Sequence, residues 1–102
     1  MASKRALVVD DNPDVRSGLR EALTLWGYAT EVAEDATRAL EVALSHRPDV
    51  VVLDGGDNAL DAIKRLKAED ARVFVVVFSG WAHLEAAVRG AGADAFVLKP
   101  DI

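Results

Sequence analysis

Five short apolar runs recur along the chain: Ala6 to Val9, Tyr28 to Val32, Val50 to Leu53, Val73 to Phe78 and Ala95 to Leu98, the second and fifth being the weaker. They are short and continuous, which is how strands buried on both faces of a parallel sheet read. Between them lie stretches of helical period. Val15, Leu19, Leu23 and Trp26 form one face, ended by Gly27, and Ala36, Ala39, Leu40 and Ala43 form a second before Pro48. Ala59, Ile63 and Leu66 form a third, and Leu84, Ala87 and Val88 a short fourth. Strand and helix thus alternate four times and close on a fifth strand. This order requires right-handed crossovers and predicts a doubly wound α/β domain over residues 1–102.

Composition narrows the function classes. The chain has 102 residues, 51% hydrophobic, with 12 Lys+Arg against 17 Asp+Glu, a formal charge of −5 that is too modest for a disordered chain of this apolar content. There is no cysteine, so disulfide scaffolds, thiolate zinc sites and cysteine nucleophiles are excluded, and a reducing cytoplasm is the expected compartment. No apolar run approaches the ~20 residues of a membrane span, and Met1 to Leu7 carries no signal-peptide core. Basic residues are scattered, so neither a membrane nor a direct nucleic-acid contact is expected.

In an open parallel sheet, ligands bind beyond the carboxyl ends of the strands, where strand order reverses. Four of the five strands end there in polar groups: Asp10-Asp11-Asn12-Pro13 after the first, Asp54-Gly55-Gly56 after the third, Ser79-Gly80 after the fourth and Lys99-Pro100 after the fifth. An Asp after a strand also serves as a turn former or helix N-cap. In a 2-1-3-4-5 order, however, three carboxylates meet in one shallow pocket, and like charges so close call for a cation. Mg²⁺ suits such a site, needing one or two carboxylates, a backbone carbonyl and a phosphate oxygen at ~2.0–2.1 Å. Asp11 and Asp54 are placed to bind directly and Asp10 through water, while Lys99 and Ser79 suit phosphoryl oxygens. Asp54 is the expected nucleophile.

Asp10-Asp11, Asp54, Ser79, Phe96 and Lys99-Pro100, each at the end of its strand, resemble the receiver domain of two-component response regulators. Asn12-Pro13-Asp14-Val15-Arg16, Gly27-Tyr28, Pro48-Asp49-Val50 and Ala91-Gly92-Ala93-Asp94 extend the likeness over almost the whole chain. The resemblance implies a flavodoxin-like fold in which a sensor histidine kinase or histidine phosphotransfer protein donates a phosphoryl group to Asp54. Mg²⁺ would be bound by Asp10, Asp11, Asp54 and the Gly56 carbonyl. Ser79 and Lys99 would then be drawn to the phosphoryl oxygens, with Phe96 as the aromatic ring that turns inward. Gly56 and Trp81 stand where receivers tune water attack on the phosphoaspartate. Trp81, beside Gly80, would shield the site and lengthen the life of the phosphorylated form.

Three departures from the family stand out. The loop after Asp54 is Gly55-Gly56-Asp57-Asn58, about three residues short, its glycines opening backbone geometries closed to other residues. The stretch between Ser79 and Ala91 is about two residues short. The fifth helix is missing: the chain stops at Asp101-Ile102, so four helices are expected, and half of one sheet face would be bare. A sheet of five strands ~4.8 Å apart needs two ~10 Å helices per face. Truncation or a homodimer would answer that. A downstream protein partner or a missing effector domain would read the signal.

Other residues read as structural. Trp26 is expected in the core, His46 and His83 on helix surfaces without metal-ligand spacing, and Lys64-Arg65-Leu66-Lys67 on a solvated helix side. A receiver-fold interaction module that is not phosphorylated is the alternative. A phosphatase using Asp10 fits less well, because Asn12 stands where a second Asp is needed and a chain this short has no cap. Apart from its own phosphoryl transfer and dephosphorylation, the protein is not expected to be an enzyme.

Overall fold

The computed structural model describes residues 4–56 and 58–100. β1 (Lys4–Val9), β2 (Tyr28–Ala33), β3 (Val50–Asp54), β4 (Phe74–Ser79) and β5 (Ala95–Leu98) form one parallel sheet in the order β2-β1-β3-β4-β5. α1 (Pro13–Leu25), α2 (Ala36–His46), α3 (Ala59–Glu69) and α4 (Glu85–Ala91) connect them, α4 preceded by a 3₁₀ turn at Ala82–Leu84. The expected topology is therefore the observed one. Strand order reverses at β1, with β2 on one side and β3 on the other, and the parallel pairing of Val9 with Leu53 makes Asp10 and Asp54 emerge side by side.

Two apolar layers sandwich the sheet. Leu7, Val9, Val51, Leu53, Val75 and Val77 point to one face and pack with Ala39, Ile63, Leu66 and Val88 from α2, α3 and α4. Ala6, Val8 and Leu23 form a smaller cluster on the other face, where α1 lies with Leu19, Tyr28, Val32, Val50 and Val52 around it. Toward β4 and β5 that second face thins: Val76 and Phe78 are only half-buried, and Phe74 and Val97 are exposed.

Helix boundaries follow local chemistry. Asn12 caps α1, its side chain accepting from the Asp14 and Val15 N–H groups, with Pro13 at the first helical position where its missing N–H costs nothing. Gly27 follows α1 at φ 93°, a left-handed conformation that glycine adopts without strain.

Trp26, His46 and part of the Lys64–Lys67 run differ from their sequence expectation. Trp26 is the C-cap of α1, beyond its apolar stripe, and is 76% exposed. The helix ends one residue too early to turn the ring inward. His46 is half-buried, its Nε2–H shared between the Ala6 and Ala29 carbonyls at 3.2 and 3.0 Å, so it ties α2 to β1 and β2. Of Lys64-Arg65-Leu66-Lys67, the first two are exposed, but Leu66 is core and Lys67 is drawn inward to Val73 and Asp94. His83 is exposed, as expected.

Candidate functional site

The β1–α1 turn holds Asp10 rigidly. Its N–H donates to Ala33 O at 3.1 Å, its Oδ1 accepts from Asn12 N at 2.9 Å, and its carbonyl accepts from Arg16 Nη1 at 2.8 Å. The residue is 3% exposed, so its carboxylate needs a counter-charge. Lys99 supplies it. Its Nζ donates to Asp10 Oδ2 at 3.1 Å and to Asp54 Oδ1 at 3.0 Å, and lies 5.4 Å from the centre of the Phe78 ring. Partial burial alone would lower the lysine's pKa, but the bonds to Asp54 and Asp10 and the charges of both carboxylates prevail and hold it above its ordinary 10.5.

One ammonium does not balance this site. Carboxylate oxygens of Asp10, Asp11 and Asp54 lie within 4.8 Å of one another, three negative charges facing one positive one. Asp11 is exposed, and neither it nor Asp54 Oδ2 has a hydrogen-bond partner among the described residues. An all-oxygen set with free lone pairs and excess negative charge fits a hard divalent cation, and Asp10, Asp11 and Asp54 are the residues that would hold it. The Gly56 carbonyl already accepts from Ala59 N at 3.1 Å, which leaves it one lone pair.

Ser79 closes β4 and is 2% exposed; its Oγ accepts from Trp81 N at 3.1 Å, and its hydroxyl hydrogen is given to no group among the described residues. Lys99 N donates to Ser79 O at 2.7 Å, so β4 and β5 deliver serine and lysine together. A cleft of about 230 Å³ opens beside the carboxylates, lined also by Glu34, Asp35, Gly56 and Ala59. Arg16, noted in the sequence only as part of the family likeness, and Glu34 and Asp35 are not among the expected site residues. Glu34-Asp35 directly follow β2, the signal by which the other strand ends were found, and Asp35 also caps α2 through Arg38 N. Phe96 is half-buried against the core shared by α2, α3 and α4. Gly80 is exposed, and Trp81 is 56% exposed with its ring stacked on His83 at 6.1 Å. Asp57 lies outside the described residues.

The family model for the response regulator receiver domain matches residues 6–101. The chain belongs to the receiver family of response regulators. Among relatives of this receiver is the transcriptional regulatory protein PrrA of Mycobacterium tuberculosis, 39% identical over 105 residues, covering 98% of this chain and 45% of that protein. The chain thus spans a little under half the length of such relatives. The chemotaxis protein CheY4 of Vibrio cholerae superposes with a TM-score of 0.88 at 22% identity, over 99% of this chain and 90% of that one, a likeness of fold. The response regulator TrrA of Thermotoga maritima, solved in complex with Mg²⁺-BeF, superposes at 0.85 with 30% identity, over 95% of this chain and 87% of that one.

Proposed function

We propose that this receiver, occupying residues 1–102, takes a phosphoryl group on Asp54 from a phosphohistidine of a sensor histidine kinase or a histidine phosphotransfer protein. The observation that carries this reading is Lys99 bridging Asp10 and Asp54 while Asp11, Asp54 Oδ2 and the Ser79 hydroxyl keep unused bonding capacity. A structural pair of one lysine with one carboxylate carries no such excess of negative charge.

In the reaction a carboxylate oxygen of Asp54 bonds to phosphorus as the bond from phosphorus to the donor imidazole breaks, its electron pair staying on nitrogen. Lys99 moves its charge from the carboxylates to the incoming oxygens, and the Ser79 hydroxyl donates to another. Mg²⁺ held by Asp10, Asp11, Asp54 and the Gly56 carbonyl would neutralise charge on the transferring group. Trp81 is a loop ring touching the site through its backbone N–H. Phe96 is the ring whose packing would change on phosphorylation. Placement in the cytoplasm, a downstream protein or effector domain as reader, and a homodimer complete the proposal.

Intact mass after incubation with acetyl phosphate and Mg²⁺ tests it. One phosphoryl adduct is expected on the parent and none on Asp54→Asn or after chelation of Mg²⁺. No adduct on the parent overturns the reading in favour of a receiver-fold module that only binds proteins.

A further inference from the structure

Gly55 and Gly56 look alike in the sequence as a flexible pair, but neither adopts a positive φ, and their surroundings differ. A Cβ on Gly56 would meet only Asp54 Oδ2 at 3.6 Å, an ordinary contact. A Cβ on Gly55 would lie 2.5 Å from Ser79 Cβ, 2.8 Å from Ser79 Oγ and 3.3 Å from a Val77 methyl. Gly55 is therefore required by space, not by backbone conformation. Its N–H donates to Phe78 O at 3.2 Å, extending the β3–β4 ladder one step past Asp54 and setting residue 55 beside residue 79.

A Cβ-to-Cβ overlap cannot be relieved by turning a side chain, because Cβ moves only with its backbone. Ser79 cannot easily retreat, since it is buried and its carbonyl is bound by Lys99 N. The loop carrying Asp54 would have to move away instead. We propose that Gly55 is a positioning residue: its missing side chain sets the spacing between the Asp54 carboxylate and the Ser79 hydroxyl, and so lets both reach one phosphoryl group. This rests on the proposed function for its consequence, but the contact itself does not.

The test is a cycle over Gly55→Ala, Ser79→Gly and Ser79→Ala, read by acetyl phosphate uptake in Mg²⁺ and by unfolding midpoint. Gly55→Ala is expected to slow uptake about tenfold or more, as misplacement of reacting groups by a fraction of an ångström does. In the Ser79→Gly background the same change should add much less loss of uptake and midpoint, because the two closest atoms are gone and only the Val77 methyl at 3.3 Å remains. In the Ser79→Ala background the midpoint loss should persist, because Cβ remains. Should Gly55→Ala fail to fold, Gly55→Ala/Ser79→Gly must fold. Equal losses from Gly55→Ala in all three backgrounds would overturn the proposal, as would a Gly55→Ala protein with parental uptake. If the parent takes no phosphoryl group, the proposed function fails separately, and additive midpoints would then refute the contact.

Discussion

Two lysines bind aspartates at opposite edges of the same sheet, and they are used differently. At the amino edge, Lys67 from the last turn of α3 donates to Val73 O and Asp94 Oδ2, both at 2.6 Å, and the same Asp94 oxygen accepts from Val75 N at 2.9 Å. One ammonium meets one carboxylate, and backbone groups just before and within β4, Val73 O and Val75 N, bind the two partners. At the carboxyl edge, Lys99 meets a cluster of three carboxylates, with Asp11 and Asp54 Oδ2 left without partners among the described residues. A pair balanced one charge against one fastens α3, β4 and the start of β5 together. The other, with three carboxylates around one ammonium, leaves negative charge in excess, and that excess is a binding capacity for a cation and a phosphoryl group.

Replacing each lysine by methionine breaks the comparison most directly. Lys99→Met should lower acetyl phosphate uptake by about a hundredfold, the scale at which loss of one transition-state charge contact is felt. It should also cost about 2 kcal/mol in metal-free buffer, because buried Asp10 loses its counter-charge. Millimolar Mg²⁺ should restore part of that loss, since a ligand of the folded state stabilises it by mass action. Paired melts with Mg²⁺ and with chelator check this. Lys67→Met should cost about 1–2 kcal/mol by losing a charge-assisted bond and leaving Asp94 with only the Val75 N–H. That loss should not respond to Mg²⁺, and uptake should stay near parental. Equal rescue of both variants would erase the distinction.

The pH limbs sharpen it. Burial alone would raise the Asp94 carboxyl, but the Lys67 bond, the Val75 N–H and the Lys67 charge outweigh it and hold it below its ordinary 3.8. Its contribution is present above pH 3.8 and is lost as pH falls through its folded value, because the unfolded chain takes up the proton first. Asp94→Asn should therefore flatten the acid limb of stability below pH 3.8. Lys99 has the opposite sign. Held above 10.5, it contributes fully below that pH and loses its contribution as pH rises through its folded value, so Lys99→Met should flatten the alkaline limb. Guanidinium melts across both limbs read these slopes.

The smallest effect is expected for Trp81→Ala. Its ring stacks on His83 and is more than half exposed, and its link to Ser79 is a backbone N–H that alanine keeps. Uptake should change by less than about twofold and stability by about 0.5 kcal/mol or less, the usual range for surface substitutions. A phosphoryl lifetime shortened several-fold would instead show the ring shielding Asp54.

Much of this was legible because its causes are local. Continuous Val-rich runs specify strands buried on both faces, and Asn12-Pro13 and Gly27 mark helix ends through capping and a left-handed turn. The polar groups closing the strands could be read as one site because a parallel sheet brings all its carboxyl ends to one edge. Trp26 was misplaced because it continues the helical spacing one step beyond the last helical residue, and spacing does not reveal where a helix stops. The inward turns of Lys67 and His46 were invisible for another reason: their partners, Asp94 and the Ala6 and Ala29 carbonyls, are 17 to 40 residues away.

The sequence alone thus determined the order of elements, the sheet type and the chemistry of the strand ends, since periodicity and turn chemistry act over a few neighbours. Only the tertiary structure decided which charges touch. Strand pairing carries Lys99 to Asp10 across 89 positions, and separates a lysine matched by one carboxylate from one that faces a cluster still short of positive charge. Only packing, likewise, made two adjacent glycines unequal, because a steric requirement at Gly55 exists only where the end of β4 lies against it.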